Sequence, residues 1–521
     1  MFLYLVGQVT EEVDACTFLQ FVDADDVVAI VLVGVAFIFV QRPESDGVIG
    51  VLRVRIIEGI GQFSVTLVFR EDMNDRDRQI LKIALPAIVT NITVPLLGMV
   101  DTAIVGHMGA AAYIGAIAVG SMMFNLVYWL FGFLRMGTSG MTAQARGRRD
   151  MTEAADILAH SVAEAATVAV LMLLMQWPLY RLLVWLIAPT DDVVPWVDVY
   201  FRIVVWGAPA VLGLYSLTGW FIGMQNTRIP MVVSILQNVV NIAASLLFVY
   251  GWGMQVEGVA LGTVVAQYAG VVVALAFLWR YYRKVLAGRI VAGSWGRFCV
   301  IPFSLKIGSS EPSPRSVSRR TDPMIHVNRD IFLRTLCLVA VNLYFTSAGA
   351  RQGAAILAVN TLLMQLYLLF SYVMDGFAYA GEALGGRYWG ARDWAAYKDV
   401  VRRLFGWGAM MTTLFTCIYI IGGMPFLRLL TDEPQVVEAS QAYVWWAYLV
   451  PAAGVAAFIW DGLFIGTTQT RGMLISSAVA AILFFVTATI TMNRMGNHGL
   501  WLSMILYLLT RGIVQTIIVK N

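Results

Sequence analysis

Cysteine is scarce in this chain. Cys16, Cys299, Cys337 and Cys417 are scattered through 521 residues with no CxxC pair and no even spacing, which excludes a disulfide framework and a cysteine-held zinc site. Histidine is equally scarce: His107, His160, His326 and His498 are the only ones, and neither HExxH nor GxxxxGK[ST] occurs. Zinc-peptidase chemistry and ATP hydrolysis therefore have no support, no metal cofactor is implied, and energy for any uphill process falls to an ion gradient or a partner. A basic n-region is also missing, since Glu11, Glu12 and Asp14 come early, so no secretory signal is read. Charge is the last shortage: 13% of residues are charged and 59% are hydrophobic. A soluble fold cannot bury that much apolar side chain, because much of its surface must satisfy water. A bilayer removes the limit, and at about 20 residues per helical span the length allows roughly a dozen spans.

Apolar runs of sufficient length fall near 80–105, 113–134, 154–177, 196–222, 230–251 and 256–280, and again near 331–350, 354–380, 400–421, 437–465, 472–492 and 498–519. They are rich in Gly, Ala, Ser and Thr, which lets helix backbones approach and points to a packed bundle. The loops alternate in charge. One set carries Arg146, Arg148, Arg149, Arg228, Arg283, Lys284, Arg387, Arg392, Lys398 and Arg471; the other carries few bases, Arg181, Arg202, Arg351, Arg428 and Arg494, and also holds Asp191, Asp192, Asp432 and Glu433. The positive-inside rule puts the first set in the cytoplasm. Both ends of a twelve-span core then lie there.

The chain repeats itself. GFLRMGTSGMTAQARGRRD ends at Asp150 and GFAYAGEALGGRYWGARD at Asp393, an offset of 243 residues. GMQNTR from Gly223 and GTTQTR from Gly466 keep the same offset, and VEGVALGT from Val256 aligns with NHGLWLSM from Asn497 two residues short of it. Six spans per copy is an even number, so the two copies run parallel about an axis along the membrane normal. The expected fold is an all-α membrane protein of twelve helices in two pseudo-symmetric six-helix bundles, residues 73–284 and 331–521. A polar cytoplasmic linker, 285–330, joins them. Residues 1–72 have no counterpart in the second copy and no span-length amphipathicity. They are expected to be an extension upstream of a natural start at Met73, or else an accessory segment with one short span.

Asp101 is the first candidate for chemistry. It falls in the first span, PLLGMVDTAIVGHMG, after Pro86 and Pro95. A carboxylate in a bilayer faces a cavity, pairs or takes up a proton, burial favours its protonation, and the prolines allow the helix to bend. The plainer reading is a helix-end acid at the interface. In the fifth span Gln237, Asn241 and Ser245 share a face, with Asn238 beside them. These amides and hydroxyls, with Thr263 in the sixth span, either coordinate an ion or bond helix to helix. Asp375, Glu382 and Asp461 either assist coupling or pair with Arg387 or a neighbour, and Arg334 is expected to snorkel to the headgroups. Met123, Tyr128, Met364, Tyr367 and Met374 suit the lining of a promiscuous cavity, or ordinary packing. Gly137-Thr138-Ser139-Gly140 matches the GxSG of intramembrane serine proteases weakly, with His160 the nearby base.

LPAIVTNITVPLLGMVDTAIVGHMG, GTSGMTAQARGRRD, MDGFAYAGEALGGRYWGARD and the FIGMQNTR/FIGTTQTR pair together resemble the multidrug and toxic compound extrusion (MATE) family, and within it the DinF-like branch, over roughly 74–519. The resemblance implies two six-helix lobes in a V around a central cavity, acting as a secondary active efflux transporter. It implies antiport of organic, often cationic or amphiphilic compounds against H+ or Na+. Asp101 then matches the first-helix acid, and Asn241 and Thr263 its polar partners. Asp101, Asn241 and Thr263 are the place for sodium if sodium is bound. Ser245 stands where some relatives have a second acid, which tilts the reading to protons. Asp461 looks like the tenth-helix acid of sodium-coupled relatives, without a partner acid in the seventh helix. The expected partners are small organic substrates and the bilayer, not nucleic acid, with the monomer as the working unit and no enzymatic activity. Two other classes stand beside this one: a lipid-linked-precursor flippase, which favours a basic cavity for pyrophosphate where the expected spans lack a central Arg/Lys cluster, and an intramembrane hydrolase.

Overall fold

A computed structural model of the chain describes the backbone of residues 39–41, 48–58, 61–70, 74–106, 111–291, 318–431 and 433–520, and the side chains of 74–93, 112–285, 324–428, 430–431 and 433–520. Eleven helical segments among the described residues have the length and apolarity to cross a bilayer. They are Ala112–Gly147, Met151–Leu174, Val194–Gly223, Arg228–Gly251, Val256–Val285, Met324–Arg351, Ala354–Gly390, Trp394–Arg428, Val444–Gly466, Thr470–Met495 and Asn497–Lys520. The helix Asp75–Gly106 precedes them and rises about 48 Å at 1.5 Å per residue. These are the first to twelfth spans, in chain order.

Several spans outrun the apolar runs that announce them. The second continues from the expected limit of 134 to Gly147, with a break between Leu130 and Phe133, and the eighth continues to Gly390 through a π-helical turn at Gly381–Gly385. The added turns are buried by helix packing although their residues are small and polar: Thr138 and Ser139 have no exposed surface. Hydropathy sees lipid contact and misses contact with another helix. The helix of the seventh span also begins earlier than expected, at Ser318, inside the expected linker. Residues 292–317 of that linker lie outside the described residues.

The repeat holds in three dimensions. The second and fourth spans pack together in the first half as the eighth and tenth do in the second, and the fifth and sixth pair as the eleventh and twelfth do. The correspondence reaches single residues. Asp150 caps the third span by accepting from the Glu153 amide at 2.8 Å, and Asp393 caps the ninth by accepting from the Ala396 amide at 3.0 Å. Arg149 and Arg392 take left-handed φ values of 62° and 57°; Gln225 and Thr468 take 58° and 56°. Each of these pairs is separated by the 243-residue offset read from the sequence.

The halves meet at the end that carries the basic loops. A Cβ on Gly147 would fall 2.0 Å from the Arg387 carbonyl oxygen, and one on Gly390 2.3 Å from that of Gln144. The two contacts are images of each other, and both need glycine for the backbones to touch. Gln144 donates to the Thr468 hydroxyl at 3.0 Å, while at the equivalent place Arg387 donates to Gln225 Oε1 at 3.3 Å. The first span lies across this seam, packing on the fifth span of its own half and on the eighth of the other.

Upstream of the bundle the backbone forms an antiparallel three-stranded sheet, β1 (Phe39–Gln41), β2 (Val48–Glu58) and β3 (Gly61–Arg70), in the order β1-β2-β3. Val54 pairs with Val65 and Glu58 with Gly61. The sheet falls in the segment expected to be an extension upstream of Met73 or an accessory segment with one short span. Its signal is the β-branched content and short-period alternation of VLRVRIIE and FSVTLVF, which a search for helix-length amphipathicity passes over.

Candidate functional site

Small and amide side chains make the interior around the fifth and sixth spans polar. Asn241 and Ser245, one turn apart on the fifth span, are fully buried. Asn241 donates to the Thr263 hydroxyl at 3.1 Å, and that hydroxyl donates to the Val259 carbonyl at 3.0 Å. Asn241 Oδ1 and Ser245 Oγ have no hydrogen-bond partner among the described residues. Two buried oxygen atoms without donors are unusual, since such groups are normally paired. Gly262 on the sixth span makes the fit possible, because a Cβ there would lie 2.3 Å from Ser245 Oγ. Asn238 is drawn to the first span, donating to the Thr93 carbonyl at 2.9 Å, and Gln237 lies against Gly270. The structure thus brings Asn241, Ser245 and Thr263 together. Asp101 is within the first-span helix, and its side chain lies outside the described residues.

The interior of the second half is charged. Asp461, 6% exposed in the tenth span, accepts at Oδ2 from Arg334 and from Arg511, the latter at 2.5 Å, and at Oδ1 from Gln515 at 2.6 Å. Arg334 therefore does not snorkel to the headgroups. It is 8% exposed and its guanidinium is held inside by the carboxylate. The seventh span supplies Asp461 with a base where sodium-coupled relatives are expected to supply an acid, and an acid whose oxygens are filled by three donors has little left for a metal ion.

A second ion pair crosses between the halves. Glu382 lies in the π-helical turn of the eighth span with 1% exposure. It accepts from Ser139 Oγ at 2.6 Å and from Arg135 Nη1 at 3.2 Å, both on the second span. The Arg135 guanidinium also lies 4.3 Å from the centroid of the Tyr379 ring. Glu382 thus pairs with Arg135 and not with Arg387. Within the GxSG motif, Ser139 is a donor to this carboxylate, and the Thr138 hydroxyl lies within hydrogen-bond distance of the Leu134 carbonyl and the Ser161 hydroxyl.

Asp375 stands between these two networks, half-buried, with Arg135, Arg334, Asp461 and Glu382 as electrostatic neighbours. Of the expected cavity residues, Met123 and Met374 are sealed in the apolar core and present no surface to a cavity in this conformation. Tyr128 is buried with its hydroxyl unpartnered among the described residues, and Met364 and Tyr367 are half-buried against the core.

Three interior residues escaped sequence reasoning: Arg135, Arg511 and Gln515. The rule applied to intramembrane acids holds for bases too, and Arg511 and Gln515 are four apart on one helical face. The expectation that the spans lack central arginines is overturned. Arg135, Arg334 and Arg511 are all inside, but Glu382 and Asp461 oppose them, so no open basic cavity for a pyrophosphate results.

A family model described as MatE matches residues 86–247 and 331–490. The chain is 35% identical over 449 residues to DNA damage-inducible protein F of Escherichia coli, covering 86% of this chain and 93% of that protein. It is 25% identical over 238 residues to a probable multidrug resistance protein NorM of Acinetobacter baylyi, covering 44% of this chain and 52% of that one. Among solved structures it is similar to a MATE protein in the bent conformation (TM-score 0.72, 17% identity, 86% of this chain and 95% of that chain). It is also similar to the Vibrio cholerae MATE transporter VcmN in its bent form (TM-score 0.72, 15% identity, 86% and 96%).

Proposed function

Because this chain belongs to the MatE family, we propose that it is a secondary active exporter of organic, often cationic or amphiphilic compounds, exchanging them for protons or sodium ions. The observation that carries the reading is the meeting of two duplicated halves at one end of the bundle, each with its own polar interior. Such a joint lets the halves rock and expose those interiors to one side of the membrane at a time. The positive-inside rule puts the basic end in the cytoplasm, so the arrangement closed at that end is the outward-facing one.

Asp101 is the proposed coupling acid, with Asn241, Ser245 and Thr263 completing its surroundings. The oxygens of Asn241 and Ser245 that lack a partner among the described residues support this assignment, because they offer an arriving cation acceptor atoms that no described donor occupies. A proton on Asp101 removes the charge that holds a cationic compound and releases it outward. The return to the inward state with the proton bound then allows cytoplasmic compound to displace it. A serine at 245, where a second carboxylate would strengthen a sodium site, favours the proton. The working unit is the monomer, the membrane is the bacterial inner membrane, and nucleic acid has no part.

The test is transport by purified protein in proteoliposomes, following a fluorescent organic cation under an imposed pH gradient and, separately, an imposed sodium gradient. Movement driven by one of them is expected. Movement driven by neither sinks the proposal.

A further inference from the structure

The eighth span carries one acid that the ion-pair networks leave over. Glu382 is held by Arg135 and Ser139, Asp461 by Arg334, Arg511 and Gln515, Asp330 by Arg329 and Thr470, and Glu164 by Asn328. Asp375 has no hydrogen bond or ion pair among the described residues, and it is half-buried where Glu382 and Asp461 are sealed. Its neighbours Arg135 and Arg334 are each engaged with another carboxylate. A cation reaching Asp375 has no ion pair among the described residues to break.

The face around it is aromatic. Tyr372, Asp375 and Tyr379 are spaced i, i+3, i+7 and share one side of the helix, and all three are half-buried. A ring face attracts a cation within about 6 Å of its centroid, and Tyr379 already holds the Arg135 guanidinium that way at 4.3 Å. The face also adjoins the joint between the halves. Asn91 of the first span donates to the Tyr372 carbonyl at 3.1 Å, and a Cβ on Gly376 would fall 2.4 Å from the Ile88 side chain and 2.9 Å from the Ala84 carbonyl oxygen. A ligand on this face touches the surface along which the first span bears on the other half.

We propose that Asp375, flanked by Tyr372 and Tyr379, is a binding site in the second half for the cationic group of an aromatic organic compound, separate from the coupling acid Asp101. The site rests on the export reading for its purpose, but its occupancy is measurable without transport.

The experiment is equilibrium binding of tetraphenylphosphonium, a permanent aromatic cation, to purified protein in lipid nanodiscs with no gradient. Asp375→Asn is expected to weaken binding about tenfold, equivalent to about 1.4 kcal/mol. Asp375→Glu is expected to keep it within a factor of about three, and Tyr372→Leu to weaken it severalfold with the acid intact. Monodisperse elution of each variant checks the fold. Unchanged affinity in Asp375→Asn overturns the proposal, as does an absence of saturable binding to the wild type. Unchanged affinity together with lost gradient-driven transport also overturns it, assigning Asp375 to the coupling ion. Binding by the wild type without any gradient-driven movement sinks the export reading and leaves this one standing.

Discussion

Ser139 and Glu382 occupy the same place in the two copies of the repeat, 243 residues apart, and they touch: the hydroxyl donates to the carboxylate at 2.6 Å. Two equivalent positions can meet only where the pseudo-two-fold axis passes between them. The pair has diverged there, and so has its neighbour, since Arg135 corresponds to Ala378. At this place the repeat is unlike itself: one copy supplies the base and hydroxyl, Arg135 and Ser139, and the other the acid, Glu382.

Glu382→Gln takes from the buried Arg135 guanidinium the carboxylate it is bonded to, leaving Asp375 as an unbonded acidic neighbour, and breaking such a buried pair costs up to about 3–5 kcal/mol. Removing both charges in Arg135→Met/Glu382→Gln is expected to restore most of that stability, because the cost lies in the uncompensated charge. Thermal unfolding of the purified variants is the measurement. A double variant as unstable as the single one would refute the account.

Asp101 and Asp461 are both intramembrane acids, and their variants should separate. Asp461→Asn strips the charge that holds Arg334 and Arg511, with an expected loss of about 3–5 kcal/mol and of most folded protein. Asp101→Asn is expected to leave expression and elution profile normal and to abolish efflux. Fluorescence-detected chromatography beside a drug-resistance assay reads both. Full resistance from Asp101→Asn would remove the coupling assignment.

The frame of this molecule was legible in its sequence because membranes make hydropathy and charge informative: span number and the offset of the repeat could both be read. The cap residues Asp150 and Asp393 mark the same 243-residue offset. Partnerships were less legible. Arg334 looked like a snorkelling residue because its distance along the chain from Asp461 hides their contact, and Arg511 went unnoticed in an otherwise apolar twelfth span. The extra turns of the second and eighth spans were missed because Gly137, Ser139 and Gly381 are buried by helix contact, which needs small residues rather than apolar ones. Helical spacing puts Gln237, Asn241 and Ser245 on one face but cannot reach Thr263 on another helix, which only the family resemblance joined to Asn241; the two are hydrogen-bonded, while the side chain of Asp101 lies outside the described residues.

Asn241→Ala separates a structural amide from a coupling one. Losing the bond to Thr263 costs about 1 kcal/mol of stability, a modest change in melting temperature. If the free Oδ1 serves the coupling ion, the same variant needs a higher ion concentration to drive transport, by about tenfold for a lost interaction of about 1.4 kcal/mol. Rates of substrate movement against pH and against sodium concentration give that number. A variant with unaltered ion dependence would make Asn241 a packing residue only.

The basic end is fastened by charges that cross between the halves. Arg76 of the first span pairs with Asp399 of the ninth, and Arg403 bridges Asp399, at 3.0 Å, and Asp77. Trp407 donates to Asp77 at 3.1 Å. These groups are a fifth to a third exposed, so each pair is worth about 1 kcal/mol or less, and together they bias the joint without locking it. Arg403→Asp breaks two of the pairs and sets like charges against Asp77 and Asp399, so the closed basic end should lose population by roughly tenfold, the effect of about 1.4 kcal/mol. Adding Asp77→Arg to Arg403→Asp restores one pair with its sign reversed and should recover part of the loss. The readout is labelling of Gln144→Cys, in a cysteine-free background, by an impermeant maleimide from the basic side. Gln144 lies half-buried in the seam, bonded to Thr468, and reacts only when that seam opens. Equal labelling rates in the parent and Arg403→Asp would show that the network has no part in choosing which side is open.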